Sequence, residues 1–263
     1  MQSIFHAVTA LIESGGIGAL CSIIESSGST PRHAGSKMLV YEDGKFTGTV
    51  GGGEMENRVY KEAMQTIGDG KSRLVSYSMV DPSRGDPGVC GGTVEIYIEP
   101  ILPPPTLVVI GGGHVGKAVA HLAKWLGFRV AVSDDRAEFC TKEANPDADI
   151  FYNCSIADLP AQLKINSQTY LVLTTRGSNI DVPGLPALLQ SPYGYLGIIG
   201  SQKRWLTTRK AVVEKGVTAE QLARVNSPVG LEIKAESPEE IAVSILAEII
   251  MIRNGGTGKT MKS

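Results

Sequence analysis

Thr106–Asp135 reads TLVVIGGGHVGKAVAHLAKWLGFRVAVSDD, and its reading decides the fold. An apolar strand, Leu107–Ile110, runs into Gly111, Gly113 and Gly116 at G-x-G-x-x-G spacing. A helical pattern follows over His114–Leu126, and a second apolar strand, Phe128–Val132, leads to Asp134 and Asp135. Strand, glycine loop, helix, strand and acid is the context the motif requires. The first glycine permits the tight turn, the second lets a phosphate approach the backbone, and the third lets helix and strand pack closely. The helix start offers N–H groups and partial positive charge to an anion. Asp134 or Asp135 is placed to accept a hydrogen bond from a ribose or other polyol hydroxyl. The competing reading is a domain of this fold that has lost its ligand.

Around this core, 263 residues suffice for two modest domains, and 42% hydrophobic with 20% charged content is an ordinary globular balance. A net charge of −2 gives no electrostatic case for nucleic acid or an anionic membrane. The opening MQSIFHAVTALIESGG lacks the marks of a signal peptide and reads as an amphipathic helix, and no apolar run is long enough to span a bilayer. Cys21, Cys90, Cys140 and Cys154 form no CxxC pair, which predicts a reducing cytoplasm rather than a disulfide framework or structural zinc.

Pro100-Ile-Leu-Pro-Pro-Pro105 predicts a boundary, giving an N-terminal domain over 1–100, a Rossmann-like domain over 106–253 and a flexible tail over 254–263. The expected class is α/β, with a parallel C-terminal sheet and a smaller mixed α/β N-terminal domain. In the first part, Ser3–Glu13 has helical periodicity and Gly18–Glu25 reads as a strand. Asp43-Gly44 marks a hairpin, a helix runs from Glu54 to Ile67, and Ser72–Ser78 and Thr93–Glu99 are strands. In the second part, Ile150–Tyr152, Thr169–Thr174 and Tyr195–Ile199 are strands. A loop TRGSNIDVPG precedes a helix over Leu185–Gln190, and another helix covers Ser201–Lys215. Ser237-Pro-Glu-Glu opens the last helix with a cap, a proline and two acids.

Three further glycine-rich loops are candidates for chemistry. In the first, Arg32, His33 and Lys37 supply charge and the Gly51-Gly52-Gly53 turn supplies backbone donors at a helix start, which suits an anion; a tight turn under a packed helix is the equal alternative. In the second, Cys90 lies among Gly88, Gly91 and Gly92, an accessible setting in which a thiol can hold sulfur or a soft metal. In the third, the loops TRGSNID and GIIGSQKR follow apolar strands and bring Arg176, Asp181, Ser201, Lys203 and Arg204 towards the first glycine loop, because loops at strand carboxyl ends line the crevice of a doubly wound sheet. His114, inside the glycine motif, is placed to bond a phosphate or to cap the helix.

Taken in order, SSGSTPRHAGSKMLV, GTVGGGEMEN, GVCGGTVEIYIEP, the stretch from Val108 to Arg136, TTRGSNID, YLGIIGSQKR and SPVGLEIKAESPEEIAVSILAEII make the chain resemble the XdhC/CoxI family of xanthine dehydrogenase accessory proteins over nearly its whole length. The resemblance implies a maturation chaperone without a turnover reaction of its own. Such a protein binds molybdenum cofactor, promotes its sulfuration by a cysteine desulfurase and delivers it to a molybdenum hydroxylase apoprotein, as a homodimer. On that reading Gly111, Gly113, His114, Gly116, Asp134, Asp135, Arg176, Ser201, Arg32 and Gly51–Gly53 hold the cofactor, and Cys90 contacts its molybdenum or sulfur. The alternative is an NAD(P)-dependent oxidoreductase, or a nucleotide-binding regulator, using Gly111–Gly116.

Overall fold

The structure, a computed structural model, describes residues 3–79 and 91–262. Cys90 lies outside the described residues. The chain divides into two compact units, Met1–Pro103 and Pro104–Ser263.

Among the described residues the N-terminal unit holds a five-stranded antiparallel sheet in the order β3-β2-β1-β5-β4, formed by β1 (Gly18–Ser27), β2 (Lys37–Tyr41), β3 (Phe46–Gly48), β4 (Arg73–Ser78) and β5 (Thr93–Ile101). The Asp43-Gly44 turn joins β2 to β3. Helix α2 (Gly53–Asp69) covers one face, where Met55, Val59, Ala63 and Ile67 meet Ala19, Cys21, Ile23, Ile96 and Ile98. Helix α1 (Ile4–Glu13), capped by Ser3, packs on the other face through Leu11, Leu20 and Leu39. Strand β5 runs past the expected boundary, with Pro100 opposite Ala19 and Ile101 opposite Gly18. Pro100 is near the strand's end, where a missing N–H costs the ladder little.

Among the described residues the C-terminal unit holds a six-stranded sheet of order β11-β10-β9-β6-β7-β8, every pair parallel. The strands are β6 (Thr106–Ile110), β7 (Arg129–Ser133), β8 (Ile150–Tyr152), β9 (Thr169–Leu173), β10 (Tyr195–Ile198) and β11 (Val225–Asn226). Helices cover both faces, so β9 and β10 are buried along their whole length rather than alternating. One face packs Leu107, Val109, Val130, Val132 and Val172 against α3 (His114–Trp125) and α8 (Pro238–Asn254). The other packs Val108, Ile110, Leu171, Leu173 and Ile198 against α4 (Leu159–Gln162), α5 (Ser178–Leu189) and α6 (Gln202–Val213), with α7 (Ala219–Ala223) beside it. The winding reverses between β6 and β9, and there the two loops diverge to opposite faces and leave a crevice.

Ser237 caps α8 as its sequence predicts, closing a capping box with Glu240. Helix α5 differs from expectation. It starts at Ser178, inside the stretch read as loop, and contains Pro183 and Pro186. Each proline removes a helical hydrogen bond, so local propensity argues against this helix. The wholly buried Leu185, Leu188 and Leu189 hold it against the sheet, so packing overrides propensity.

Candidate functional site

A cleft of about 440 Å³ opens at the carboxyl ends of β6, β7, β8 and β9, a volume suited to a small ligand. Its walls come from the glycine loop (Gly111, Gly113, His114), the β7 end (Ser133–Arg136), the β8 end (Cys154–Ala157) and the β9 end (Thr174–Arg176), with Asn179 and Ile180 from α5.

The glycine loop is fixed from below. The Gly111 N–H donates to Ser133 O at 2.7 Å, and the Thr174 hydroxyl donates to Gly111 O at 2.6 Å. Gly111 sits at φ +111°, a conformation L side chains rarely adopt. A Cβ at Gly116 would stand 1.9 Å from Gly111 O, so this glycine is required for the helix to reach the strand. Gly113 is different: an added Cβ there meets nothing within 4 Å. It faces open space at the start of α3, and the N–H groups of Gly113, His114, Val115 and Gly116 have no acceptor among the described residues. His114 is exposed on the cleft wall.

The two acids after β7 have separate fates. Asp134 is buried and saturated. Its Oδ2 accepts from the Gly112 N–H and from Arg136 Nη2, each at 2.9 Å; its Oδ1 accepts from the Arg136 N–H at 3.0 Å and Arg136 Nε at 2.9 Å. Burial pushes this carboxyl up, but the bonds from Arg136 and Gly112 outweigh it and hold the group below its ordinary value. Arg136 in turn stacks on Phe139, 3.8 Å from the ring centroid. Asp134 thus ties the glycine loop to the β7 end, and four donors occupy its four acceptor positions. Asp135 is half exposed and accepts from Arg176 Nη2 at 3.0 Å on each oxygen, joining the β7 and β9 ends.

A third pair lies behind the wall. Asp181 is fully buried at the start of α5; it accepts from the Thr175 hydroxyl and, at 2.6 Å, from Arg204 Nη2. Arg204 also donates to Thr175 O at 3.2 Å. The β9–α5 loop and α6 are thereby locked together, and Thr175 and Arg176 are held in the wall. Ser201 is the N-cap of α6, accepting from the Arg204 N–H at 3.2 Å, and is not part of the cleft lining. Lys203 is exposed.

The structure therefore gathers Gly111, Gly113, His114, Asp134, Asp135 and Arg176 around one cleft, with Gly116 beneath it. Sequence reasoning missed Arg136, Thr174, Thr175 and Asn145, whose amide donates to Gly112 O at 3.2 Å and Phe139 O at 2.8 Å under the loop. It also passed over Cys154, which lines the cleft. The run Ser-Asp-Asp-Arg carried a usable signal for Arg136, since an arginine two residues after an acid can fold back on it. Burial pushes the Cys154 and Cys140 thiols up, favouring their neutral forms.

In the N-terminal unit, Arg32 and His33 lie in an exposed loop where the Thr30 hydroxyl donates to Arg32 O at 2.8 Å. Lys37 donates to Ser22 Oγ at 2.9 Å. The Gly51–Gly53 turn leads into α2, but Glu56 Oε2 already accepts from the Thr49 hydroxyl at 2.5 Å and from the Val50 and Gly52 N–H groups at 3.3 Å each.

Fold and cleft define a class: a two-unit α/β protein whose C-terminal unit has Rossmann topology, with a glycine-lined cleft where the strand order reverses. The family model described as the XdhC Rossmann domain matches residues 107–249, and that of the XdhC and CoxI family matches residues 11–78. The chain belongs to the XdhC and CoxI family. It is 36% identical over 262 residues to Uncharacterized protein YqeB of Escherichia coli (strain K12), covering 99% of this chain and 48% of that protein, so it spans about half of that relative's length. It is 27% identical to the Molybdenum cofactor insertion chaperone PaoD of the same organism, over 94% of this chain and 86% of that one. A Bacillus subtilis (strain 168) protein named as a probable xanthine dehydrogenase component is 33% identical over 61% of this chain and 47% of that protein. The crystal structure of a xanthine dehydrogenase from Bacillus halodurans shares the fold, with a TM-score of 0.52 and 22% identity over 100% of this chain and 98% of that one. Among the described residues, no helix is long and apolar enough to cross a membrane.

Proposed function

We propose that the protein is a maturation chaperone that binds a molybdopterin-type molybdenum cofactor as cargo and inserts it into a xanthine dehydrogenase-type molybdenum hydroxylase. Family membership and the similarity to a relative named as a molybdenum cofactor insertion chaperone support this reading. The observation that carries it is the C-terminal cleft. The α3 start offers N–H groups and Arg176 offers a guanidinium, which together suit a phosphate. The exposed Asn179 amide and His114 imidazole line the wall, where a polyol-bearing pterin finds partners. The thiol of Cys154 adds a soft group to a site for cargo that carries sulfur and metal.

A dinucleotide reading draws support from the strand order and the glycine spacing. The state of Asp134 weighs against it. A dinucleotide site uses the acid after the second strand to hold the ribose diol, and here that carboxylate is consumed by Gly112 and Arg136. Titrating the full chain side by side with molybdenum cofactor and with NADH tests the two: retention of the cofactor and no NADH affinity is expected, and the reverse would sink the chaperone reading.

The finer parts of the proposal are sulfuration by a cysteine desulfurase, action as a homodimer and a role for Cys90 as contact to molybdenum or sulfur. Cys90→Ala is expected to keep the fold and any nucleotide affinity while lowering retention of molybdenum cofactor or its delivery in sulfurated form. Normal maturation of an apo-hydroxylase by the variant would remove Cys90 from the scheme.

A further inference from the structure

The two aspartate–arginine pairs at the end of β7 have different geometries, and the difference bears on how the cleft admits an anion. Arg136 presents two nitrogens, Nε and Nη2, to the two oxygens of Asp134, at 2.9 Å each. That is the matched fork of a planar guanidinium on a carboxylate, and the Asp134 side chain is 2% exposed. Arg176 instead gives one nitrogen, Nη2, to both oxygens of Asp135, and both side chains are about half exposed, at 51% and 45%. Asp135 has a second arginine only at 3.9 Å, Arg136 Nε.

The chemistry of that single nitrogen is the point. A guanidinium offers two bidentate edges, Nε with Nη2 and Nη1 with Nη2. Nη2 belongs to both and carries two hydrogens. With that nitrogen spent on the two Asp135 oxygens, the carboxylate occupies a donor group common to both edges and cancels the charge a third anion would meet. Arg176 therefore meets an incoming phosphate with its charge and its shared nitrogen engaged by Asp135, and leaving Asp135 frees both. Leaving is easy, because an ion pair this exposed is weakly held against solvent and salt. A phosphate, with more charge and three acceptor oxygens, is the better partner for a fork.

We propose that Asp135 is a built-in counter-ion for Arg176, displaced from the guanidinium when the phosphate group of the cargo enters the cleft. Asp135 is then a competitor that sets how tightly anions are held, rather than an acceptor for a polyol hydroxyl. This rests on the cleft being the anion site of the proposed function. The pair keeps the cleft's charge balanced when empty and makes weak anions poor ligands, so release of cargo stays accessible. Asp134, by contrast, holds the loop and is not exchanged.

The test is a titration of the full chain with inorganic phosphate, followed by backbone amide chemical shifts. In the wild type, shifts are expected at Gly113–Gly116. Asp135→Asn is expected to tighten phosphate by about fivefold, the scale of an exposed ion pair. Arg176→Gln is expected to weaken it by about the same factor or more. In the Arg176→Gln background, Asp135→Asn is expected to change affinity by less than about twofold, because the competition is gone. Unchanged or weaker binding in Asp135→Asn, with wild-type shifts still at Gly113–Gly116, overturns the inference and leaves the cleft reading standing. Absence of shifts at Gly113–Gly116 in the wild type and both single variants defeats the cleft reading and the inference with it.

Discussion

The sequence Gly-Gly-Gly stands twice before a helix, at 51–53 and at 111–113, and the two turns end differently. At the first, the following residues are Glu54, Met55 and Glu56; at the second they are His114, Val115 and Gly116. Counted from the third glycine, Glu56 stands where Gly116 stands. The Glu56 carboxylate folds back on its own turn and takes the Val50 and Gly52 N–H groups and the Thr49 hydroxyl. Helix α2 thus carries acids in its first turn, and the chain supplies the anion itself. Helix α3 has no acid in its first turn, and a glycine in the equivalent place lets the helix close on Gly111. Similar sequence at a strand-to-helix junction therefore makes a self-filled turn in one unit and, in the other, an open turn whose N–H groups have no acceptor among the described residues. What separates them is one side chain three residues into the helix.

The comparison can be broken hardest three residues after the third glycine. Gly116→Ala puts a Cβ at 1.9 Å from a backbone oxygen that cannot yield. We expect a loss of more than about 3 kcal/mol, measured by urea unfolding of the C-terminal unit. A drop below about 1 kcal/mol would mean the loop relaxes freely and is no rigid cradle.

Glu56→Gln tests the self-filled turn. It removes a charged acceptor shared by three donors, and a loss of about 2 kcal/mol is expected in unfolding of the N-terminal unit. Ligand affinity of the C-terminal cleft should not change. If phosphate or cofactor affinity falls with this variant, the turn is part of the ligand site and the contrast fails.

Gly113→Val probes the open turn from the other side. The residue has φ −70° and open space around its Cβ, so the fold should lose only about 1 kcal/mol, the scale of a poor N-cap. The isopropyl group would stand where a phosphate must approach the backbone, and cofactor or phosphate binding should weaken more than about tenfold, or about 1.4 kcal/mol. Wild-type affinity in a folded variant would place the ligand elsewhere.

These contrasts also mark how far the sequence can be read. The Rossmann half is legible from Thr106–Asp135 because the motif combines apolar runs and glycines whose spacing has a single physical purpose. The cap at Ser237 is legible for the same reason: capping depends on neighbours in sequence. Glu56 gives no signal as the filler of its turn, although it is close in sequence, because a helical acid is usually solvated. The division of labour between Asp134 and Asp135 is not legible either. Adjacent acids after a strand look alike, and only the fold shows that one faces Gly112 and the other Arg176. Helix α5 is legible only from Leu185 on: its first turns, over residues 178–184, read as loop because Pro183 sits among them and local propensity is silent about the packing that holds them.

The smallest expected effect tests whether charge in the first turn is the operative difference. Glu54 follows the first Gly-Gly-Gly and His114 follows the second, so His114→Glu gives α3 the acid that α2 already has. His114 is exposed and bonds nothing among the described residues, so little packing is disturbed. An acid near a helix start is favourable, and the variant should gain about 0.5 kcal/mol in urea unfolding. The same carboxylate would repel an incoming phosphate. At a separation of a few ångströms in water that repulsion is about 1 kcal/mol, or roughly fivefold in affinity. Stability and affinity should therefore move in opposite directions in one variant. A gain in stability with unchanged phosphate affinity would show that the α3 start does not face the anion. A loss of both would show that the His114 side chain itself holds the loop or the ligand, and the open turn would then owe its function to that imidazole rather than to the absence of an acid.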